Sequence, residues 1–390
     1  MGRRAALAAL AFVVFIGPFG GNMVLPMFGA LRRELGANTL LLGLTVTAYM
    51  VPFGIAQLFS GAVSDIAYGR RTTITAGLAA YGAGALGSAL APSMGVLLAF
   101  RALQGAGNAF TTPIAMAAAG DIFPREVRGR VMGILSLAAT LGVALGPAAG
   151  GLLSAVSWRL GFGLLAALAA AAALLVRATL PEAEHGKFAA RRAGVSYAVR
   201  RALAHRGVLA VGLAGFLVFA ARTGLVTYLS DLLTLPPYNL SEPEVGGLLT
   251  LVGIGGLAAG PAWGFLADKV GRRTALLFGV TIQLPLLAAF STSSWYSLLP
   301  VLLLTYGFTV AAVGTALSTL AVEVLPELRG TATSIYGSFR FLGYAAAPPL
   351  FYPAYAAHSI SGVSLQALAA ILTAGFLYLA LGRSTSRLHA

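Results

Sequence analysis

The sequence contains no cysteine, which excludes disulfide bonds, thiol catalysis and thiolate metal sites. It has only 4 histidines and no His-Glu-x-x-His string, so we expect no metal site. It also lacks a Gly-x-x-x-x-Gly-Lys-Ser/Thr string, which argues against ATP-driven chemistry. Charged residues make up 10% of the chain, whereas soluble domains carry about 25%. These absences predict no catalytic residues, no enzyme and no cofactor, and they argue against a protein dissolved in water.

Apolar residues dominate what is present. Hydrophobic residues make up 58% of the chain, and their runs of about 20 residues are each long enough to cross roughly 30 Å of hydrocarbon. The net charge of +14 could indicate nucleic-acid binding. Membrane proteins, however, concentrate Lys and Arg in cytoplasmic loops, so we expect no nucleic-acid partner. The sequence predicts a polytopic helical protein of the lipid bilayer.

Apolar runs and turn signals predict twelve membrane-spanning helices. They lie near residues 5–30, 40–63, 72–91, 95–121, 131–154, 160–178, 207–231, 244–267, 274–292, 297–322, 331–353 and 363–382. The first run is too long for a signal peptide, so we interpret it as a retained helix. With the N-terminus inside, only Arg32, Arg33 and Arg159 of the 26 Lys and Arg residues lie in outer loops. The prediction is an all-α, multi-pass protein of the plasma membrane with both termini cytoplasmic.

The longest polar segment separates six predicted helices from six. It covers residues 179–206 and carries seven of the basic residues. The predicted organisation is therefore an N-terminal six-helix bundle (1–178), a cytoplasmic linker (179–206) and a C-terminal six-helix bundle (207–390), in a monomer. An alternative role for the linker is an amphipathic stretch that contacts lipid.

The second half repeats the first at an offset near 202 residues. At that offset Asp121 corresponds to Glu323, and Pro124 corresponds to Pro326. Parallel repeats of this kind enclose a substrate site near the membrane midplane and rock about it. The repeat therefore predicts two six-helix pseudo-repeats around a central cavity that takes a small-molecule substrate.

One charged phrase occurs once in each half, as GAVSDIAYGRR (61–71) and GFLADKVGRR (264–273). The chain resembles the major facilitator superfamily over essentially its full length, since this phrase is similar to that family's signature Gly-x-x-x-Asp-Arg/Lys-x-Gly-Arg-Arg/Lys. The second copy matches fully. The first has Ile66 in place of a base and one extra residue before its Gly-Arg-Arg. The resemblance implies a twelve-helix transporter that works by alternating access.

The repeated phrase is predicted to form two cytoplasmic latches. Its arginines could simply belong to positive inner loops, but Arg70 or Arg71 could also pair with Asp121. An exposed ion pair contributes about 0–1 kcal/mol, and several together could bias a two-state equilibrium by a few kcal/mol. The resemblance implies that the latches stabilise the outward-facing state. The predicted latch residues are Gly61, Asp65, Gly69, Arg70, Arg71, Asp121, Gly264, Asp268, Gly271, Arg272, Arg273 and Glu323.

A glycine-rich run occupies the fifth predicted helix. Small residues at these spacings let helix backbones approach closely in lipid, which is the structural interpretation. The run also resembles the antiporter signature Gly-x8-Gly-x3-Gly-Pro-x2-Gly-Gly, which implies proton-driven export, especially of drugs. The matching residues are Gly133, Gly142, Gly146, Pro147, Gly150 and Gly151.

An intramembrane arginine lies in the fourth predicted helix, within a run that resembles the family's Arg-x-x-Gln-Gly motif. Arg101, Gln104 and Asn108 share one helix face. The resemblance implies that Arg101 and Gln104 take part in proton coupling. The alternative is an arginine that snorkels to the outer interface.

Two further arginines, Arg222 and Arg340, lie in the seventh and eleventh predicted helices. Each could contact an anionic substrate, or alternatively bond to carbonyls and hydroxyls of neighbouring helices. Asp231 is about half a helical turn round from Arg222, so we expect no pairing within the helix. The candidate substrate-binding residues are Asn22, Tyr49, Gln57, Asn108, Arg222, Tyr228, Tyr306, Arg340 and Tyr344.

The predicted map places no Asp or Glu deep in the membrane, although proton-driven exporters of the family commonly use such a carboxylate. Asp231 is the nearest candidate for a proton carrier. The hypothesis is a secondary transporter that exports small amphipathic or anionic molecules in exchange for protons. Its alternatives are a uniporter or symporter for an organic anion or metabolite, and a non-transporting membrane sensor or scaffold.

Overall fold

The computed structural model describes residues 2–64, 69–181, 192–270, 272–292 and 295–385. Across these ranges the chain is helical, and they contain no strand. Fourteen α-helices are present in these ranges: α1 (Arg3–Met23), α2 (Phe28–Leu35), α3 (Thr39–Ala62), α4 (Gly69–Ala89), α5 (Met94–Ala109), α6 (Thr112–Ile122), α7 (Arg125–Ser154), α8 (Trp158–Thr179), α9 (Arg192–Ala204), α10 (Arg206–Leu233), α11 (Glu242–Val270), α12 (Arg272–Ala289), α13 (Leu299–Glu323) and α14 (Arg329–Thr385). Short 3-10 turns cover Leu25–Met27 and Pro326–Leu328.

Several helices begin at side chains that accept a hydrogen bond from the first-turn backbone. The Asn38 side chain accepts from the Leu41 amide at 2.9 Å before α3, and Ser93 does so at the start of α5. Glu244 accepts from the Ser241 amide at 2.8 Å and from its hydroxyl at 2.6 Å, as in a capping box at the start of α11. These local signals fix where the helices start.

Length and apolar composition allow seven spans among the described residues. They are Arg3–Leu35, Thr39–Ser60, Arg125–Ser154, Trp158–Thr179, Arg206–Leu233, Leu299–Glu323 and Pro326–Leu379. They support a multi-pass integral membrane protein. The count of twelve spans and the cytoplasmic placement of both termini stay predictions.

Two predicted helix boundaries are wrong, and a third predicted break is present. The first helix ends at Met23, since Pro26 opens a 3-10 turn instead of continuing the helix. The predicted helix 95–121 is two helices, because the chain breaks after Ala109 and Pro113 starts the first turn of α6. The predicted break between residues 353 and 363 is present inside α14, where non-helical backbone at His358 and Ser359, with a Ser359 φ of 54°, separates two helical segments.

The chain packs as two compact units. The first contains residues 1–189 and 233–253, and the second contains residues 190–232 and 254–390. In the first unit α1 packs against α7 and α8, while α4 lies between α5 and α8. In the second unit α12 packs against α13 and α14, and α9 contacts α14. The segment 233–253, which the sequence places in the C-terminal bundle, therefore packs with the first unit.

Candidate functional site

The glycines of α7 line its contact with α1. A Cβ added to Gly142 would lie 2.5 Å from the Phe15 carbonyl oxygen, and one added to Gly146 would lie 2.5 Å from that of Phe19. Gly150 meets the Met23 carbonyl in the same way. The contact positions recur every four residues in both helices, at 142, 146 and 150 in α7 and at 15, 19 and 23 in α1. One face of α7 therefore packs along one face of α1. The two backbones approach closely because these positions have no side chain.

The last glycine of the run contacts α11 instead. Gly151 approaches the backbone of Glu242 and Gly246, and a Cβ added to Gly246 would lie 2.5 Å from the Pro147 carbonyl oxygen. Gly133 differs from the others, because a Cβ there would meet no atom of the described residues within 4 Å. Close packing accounts for the later glycines of the run and not for the first.

Arg101 is fully buried in the first unit, which contradicts the snorkelling alternative. Its guanidinium donates to the Gln104 side-chain oxygen at 2.7 Å and to the Thr45 carbonyl at 3.3 Å. It also lies 4.4 Å from the centre of the Tyr49 ring. Its Nη2 group has no hydrogen-bond acceptor among the described residues. A permanent cation is thus held inside the unit by neutral groups, with one N–H group still available.

The other candidate polar residues of the first unit are engaged locally. Asn22 donates to the Pro18 carbonyl at 2.8 Å, and the Tyr49 hydroxyl donates to the Gly17 carbonyl at 3.2 Å. The Asn108 side-chain oxygen accepts from the Thr111 hydroxyl at 2.8 Å. In contrast, the buried Gln57 side-chain oxygen has no donor among the described residues. Of these four, Gln57 has the most obvious capacity for a further partner.

The first predicted latch is partly described. Arg70 Nε lies 3.0 Å from Asp121 Oδ2, and Arg70 Nη1 donates to the Ser64 hydroxyl at 3.1 Å. Gly69, at the start of α4, has a φ of 74°, which a residue without a Cβ adopts readily. The structure therefore brings together one pair that the sequence predicts.

For most of the remaining latch residues, the structure describes either nothing or only the helix in which they lie. Asp65 and Gly271 fall outside the described residues. Gly61 lies in α3, and Gly264 and Asp268 lie in α11, but the surroundings of these positions are not described. The same holds for Arg272 and Arg273 at the start of α12. Arg71 is half-buried in α4, and Glu323 is exposed at the end of α13.

Arginine and aromatic side chains gather in the second unit. Arg222 of α10 donates to the Tyr344 hydroxyl of α14. The Arg340 guanidinium lies 5.4 Å from the Phe219 ring centre and 4.6 Å from that of Phe341. Arg222 thus bonds to Tyr344, whereas Asp231 accepts a hydrogen bond from Tyr355.

Asp231 is buried, with 1% of its surface exposed. Its Oδ2 accepts a hydrogen bond from the Tyr355 hydroxyl at 3.2 Å. The Tyr355 ring stacks on that of Tyr228 with 4.6 Å between ring centres, and the Tyr228 hydroxyl donates to the Pro348 carbonyl. The second unit thus contains the buried carboxylate that the predicted map lacked.

Sequence analysis missed a second cluster, in the first unit. Arg33 of α2 donates to Glu242 Oε1 of α11 at 2.6 Å, and the Glu242 side chain is only 9% exposed. Trp158 donates to Glu34 at 2.8 Å, and Arg32 donates to the Thr234 hydroxyl at 3.3 Å. No repeated motif marks these residues. Among the described residues, no cluster of His, Asp and Glu could hold a metal ion.

Comparisons with known proteins begin with relatives in sequence. The multidrug efflux protein YfmO of Bacillus subtilis is 28% identical over 347 residues, which are 88% of this chain and 84% of that protein. The bacillibactin exporter of the same organism is 28% identical over 360 residues, 88% of each chain. The match to the MFS antiporter QDR3 of Candida albicans is 30% identical over 174 residues but spans only 25% of that longer protein.

Solved structures share the fold at low sequence identity. A bacterial homologue of the human lysosomal transporter Spinster superposes with a TM-score of 0.78 at 18% identity, covering 98% of both chains. A D-xylose–proton symporter superposes with a TM-score of 0.75 at 16% identity, covering 95% of this chain and 97% of its own. The family model described as Major Facilitator Superfamily matches residues 10–348 and also residues 211–388. The chain therefore belongs to the Major Facilitator Superfamily of membrane transporters.

Proposed function

We propose that the protein is a proton-coupled exporter of small amphipathic or anionic molecules. It would work by alternating access as a monomer in the plasma membrane, with twelve spans and both termini cytoplasmic. The relatives named as a multidrug efflux protein and a bacillibactin exporter support export as the direction of transport.

One observation carries the export proposal. Four of the five glycines of α7 that match the antiporter signature lie where α7 contacts the backbones of α1 and α11. They are Gly142, Gly146, Gly150 and Gly151. The signature therefore marks a packing surface as well as a sequence pattern. Because this surface has no side chains, the two helices could slide past each other without obstruction. This property suits a transporter whose helices shift during each cycle.

Proton coupling is proposed for Arg101, Gln104 and Asp231. Asp231 supplies a buried carboxylate, which accepts a hydrogen bond from the Tyr355 hydroxyl. Arg101 supplies a fixed positive charge with an unsatisfied N–H group in the first unit. We propose that Asp231 carries the proton and that the Arg101–Gln104 pair responds to the charge of the cargo or proton.

The latch proposal rests on the Arg70–Asp121 pair. It joins the start of α4 to the end of α6 within the first unit. The Asp121 side chain is 62% exposed, so the pair alone contributes no more than about 1 kcal/mol. Its proposed role is to bias the conformational equilibrium together with the second copy of the phrase.

The test is proton flux in liposomes. Purified protein is reconstituted with a pH-sensitive dye inside, a pH gradient is imposed, and aromatic carboxylates and drugs are added. We expect substrate-linked proton movement that Asp231→Asn reduces at least tenfold, because the amide cannot take up and release the proton. Glu327→Gln, at an exposed position before α14, is the control and should leave the flux unchanged. No substrate-linked proton movement with any compound would refute proton antiport.

A second function is favoured by the arginines of the second unit. Arg222 and Arg340 form no ion pair with a carboxylate among the residues whose side chains are described. Two uncompensated cations suit a uniporter or symporter for an organic anion. In the same liposomes, substrate uptake that persists without proton movement would support the uniporter.

A further inference from the structure

Two arginines and the aromatic rings beside them form one cluster in the second unit. The rings of Phe219 and Tyr344 lie 5.1 Å apart. Arg222 lies over the Tyr344 ring at 5.7 Å, and Arg340 lies over the Phe219 ring at 5.4 Å. Phe341 stacks on Tyr344 with 6.2 Å between ring centres. Helices α10 and α14 therefore hold two guanidinium groups on a shared aromatic surface.

The cluster has more donors than acceptors. Arg222 donates to a neutral hydroxyl, and the buried Arg340 Nε has no acceptor among the described residues. Among the described residues, the buried Tyr306 hydroxyl also has no hydrogen-bond partner, and it is subject to the charge of Arg222. An arginine inside a membrane normally faces a partner of opposite charge or a polar cavity. An anionic ligand would satisfy these donors.

We propose that this cluster is a binding subsite for an aromatic carboxylate. The planar fork of a guanidinium matches a carboxylate with two parallel hydrogen bonds, which an ammonium cannot form. The Phe219 and Phe341 rings offer faces against which an aryl group stacks. Tyr306 adds a hydroxyl that can donate to the same carboxylate. The proposal rests on the proposed transport function, whose cargo class it narrows from amphipathic or anionic molecules to aryl carboxylates.

Equilibrium binding to the purified full chain tests the subsite without any transport. The probes are 2-naphthoate, the neutral 2-naphthalenemethanol of similar shape, and cyclohexanecarboxylate, which keeps the charge and loses the aromatic ring. Isothermal titration calorimetry in detergent measures each affinity. We expect 2-naphthoate to bind at least tenfold more tightly than either comparison probe. Equal affinity of 2-naphthoate and the alcohol would overturn the proposal on the native chain alone.

Variants then locate the carboxylate. Arg222→Gln and Arg340→Gln should each weaken 2-naphthoate binding at least tenfold and leave the weak binding of the alcohol unchanged. Arg206→Gln is the matched control, because Arg206 is an exposed arginine at the start of the same helix as Arg222. If one glutamine variant does not fold, Arg340→Lys or Arg222→Lys replaces it and should still lose the paired hydrogen bonds. Unchanged 2-naphthoate affinity in the folded variants would overturn the assignment.

Binding and transport separate the two proposals. If 2-naphthoate binds through these arginines but never crosses the liposome membrane with or without a pH gradient, the subsite stands and the transport proposal fails. If transport of 2-naphthoate proceeds equally well in both arginine variants, the subsite fails and the transport proposal stands.

Discussion

At the scale of single residues, Arg101 shows how a membrane-embedded charge is accommodated. Its guanidinium contacts a side-chain amide, two backbone carbonyls (Thr45 and Gly20) and the face of Tyr49. Each contact is to a neutral group, so the positive charge is solvated by dipoles rather than cancelled. This arrangement holds a positive charge in a fixed place inside the first unit.

Replacing Arg101 with lysine tests this arrangement. Lysine keeps the charge, but its compact ammonium cannot reach Gln104 and Thr45 together while it lies on the Tyr49 ring. We expect Arg101→Lys to lower the free energy of unfolding by about 1–3 kcal/mol, because buried hydrogen-bonding groups lose their partners, and to reduce transport at least tenfold. Thermal unfolding in detergent and flux in liposomes measure the two effects.

Arg177→Lys is the control for that experiment, since Arg177 is exposed near the end of α8. It should change neither stability nor flux. Native transport by Arg101→Lys would show that charge alone is enough at this position and that the shape of the guanidinium is unimportant.

At the scale of helices, the glycine-rich face of α7 packs closely against α1 in the first unit. Gly142, Gly146 and Gly150 let α7 approach the backbone of α1, and Gly151 does the same toward the start of α11. In lipid there is no hydrophobic driving force between helices, so close van der Waals contact provides much of their association. A methyl group added to one of these glycines would force the two backbones apart and weaken that van der Waals contact.

Two alanine substitutions on the same helix separate packing from helix propensity. Gly150→Ala places a methyl group against the Met23 carbonyl, and overpacking of this kind reduces stability by about 1–3 kcal/mol. The methyl group of Gly133→Ala would meet no atom of the described residues within 4 Å, so this substitution should be neutral or stabilise the helix by up to about 1 kcal/mol. We therefore expect the thermal unfolding midpoint in detergent to fall for Gly150→Ala. The midpoint of Gly133→Ala should stay the same or rise. A similar loss in both variants would contradict the packing explanation.

At the scale of the whole molecule, the chain order and the packing units do not coincide. Helix α11 begins in the first unit and continues in the second, with the change after Gly253. The Arg33–Glu242 ion pair and the contact between Gly151 and Gly246 hold its first turns within the first unit. One helix thus contributes residues to both packing units.

Because the chain has no cysteine, one introduced thiol reports on the start of α11. Val245 is fully buried there, so we expect slow labelling of a Val245→Cys chain. Adding Glu242→Gln removes the charge of the ion pair with Arg33, which contributes about 1 kcal/mol, so labelling should accelerate about fivefold. The rate of maleimide labelling in detergent measures the change.

The control for this experiment is Glu244→Gln, two residues further along α11. Glu244 is exposed and caps the helix with Ser241, and glutamine serves the same capping function. Its labelling rate should equal that of Val245→Cys alone. Equal rates with Glu242→Gln would show that the ion pair does not hold the start of α11 in place.

Much of the local structure follows from sequence. Asn38 and Ser93 mark helix starts, Gly69 marks a turn, and the glycine run of α7 predicts close packing. Each of these depends on neighbours within a few residues, so their physics can be read in sequence order. The break before α6 was missed because the apolar pattern continues through it, although Pro113 is its sign.

The sequence by itself determined a helical membrane protein and its family signature, and it predicted that Arg70 or Arg71 pairs with Asp121. These depend on apolar run length, local turn chemistry and charges at helix ends, which change little with tertiary context. Only the tertiary structure decided that Arg101 is buried, that Arg222 joins Tyr344, and that Glu242 pairs with Arg33. The partners in the last two pairs are more than a hundred residues apart along the chain. Their meeting depends on which helix faces turn toward each other, and that is set by the summed packing of many small residues rather than by any local signal.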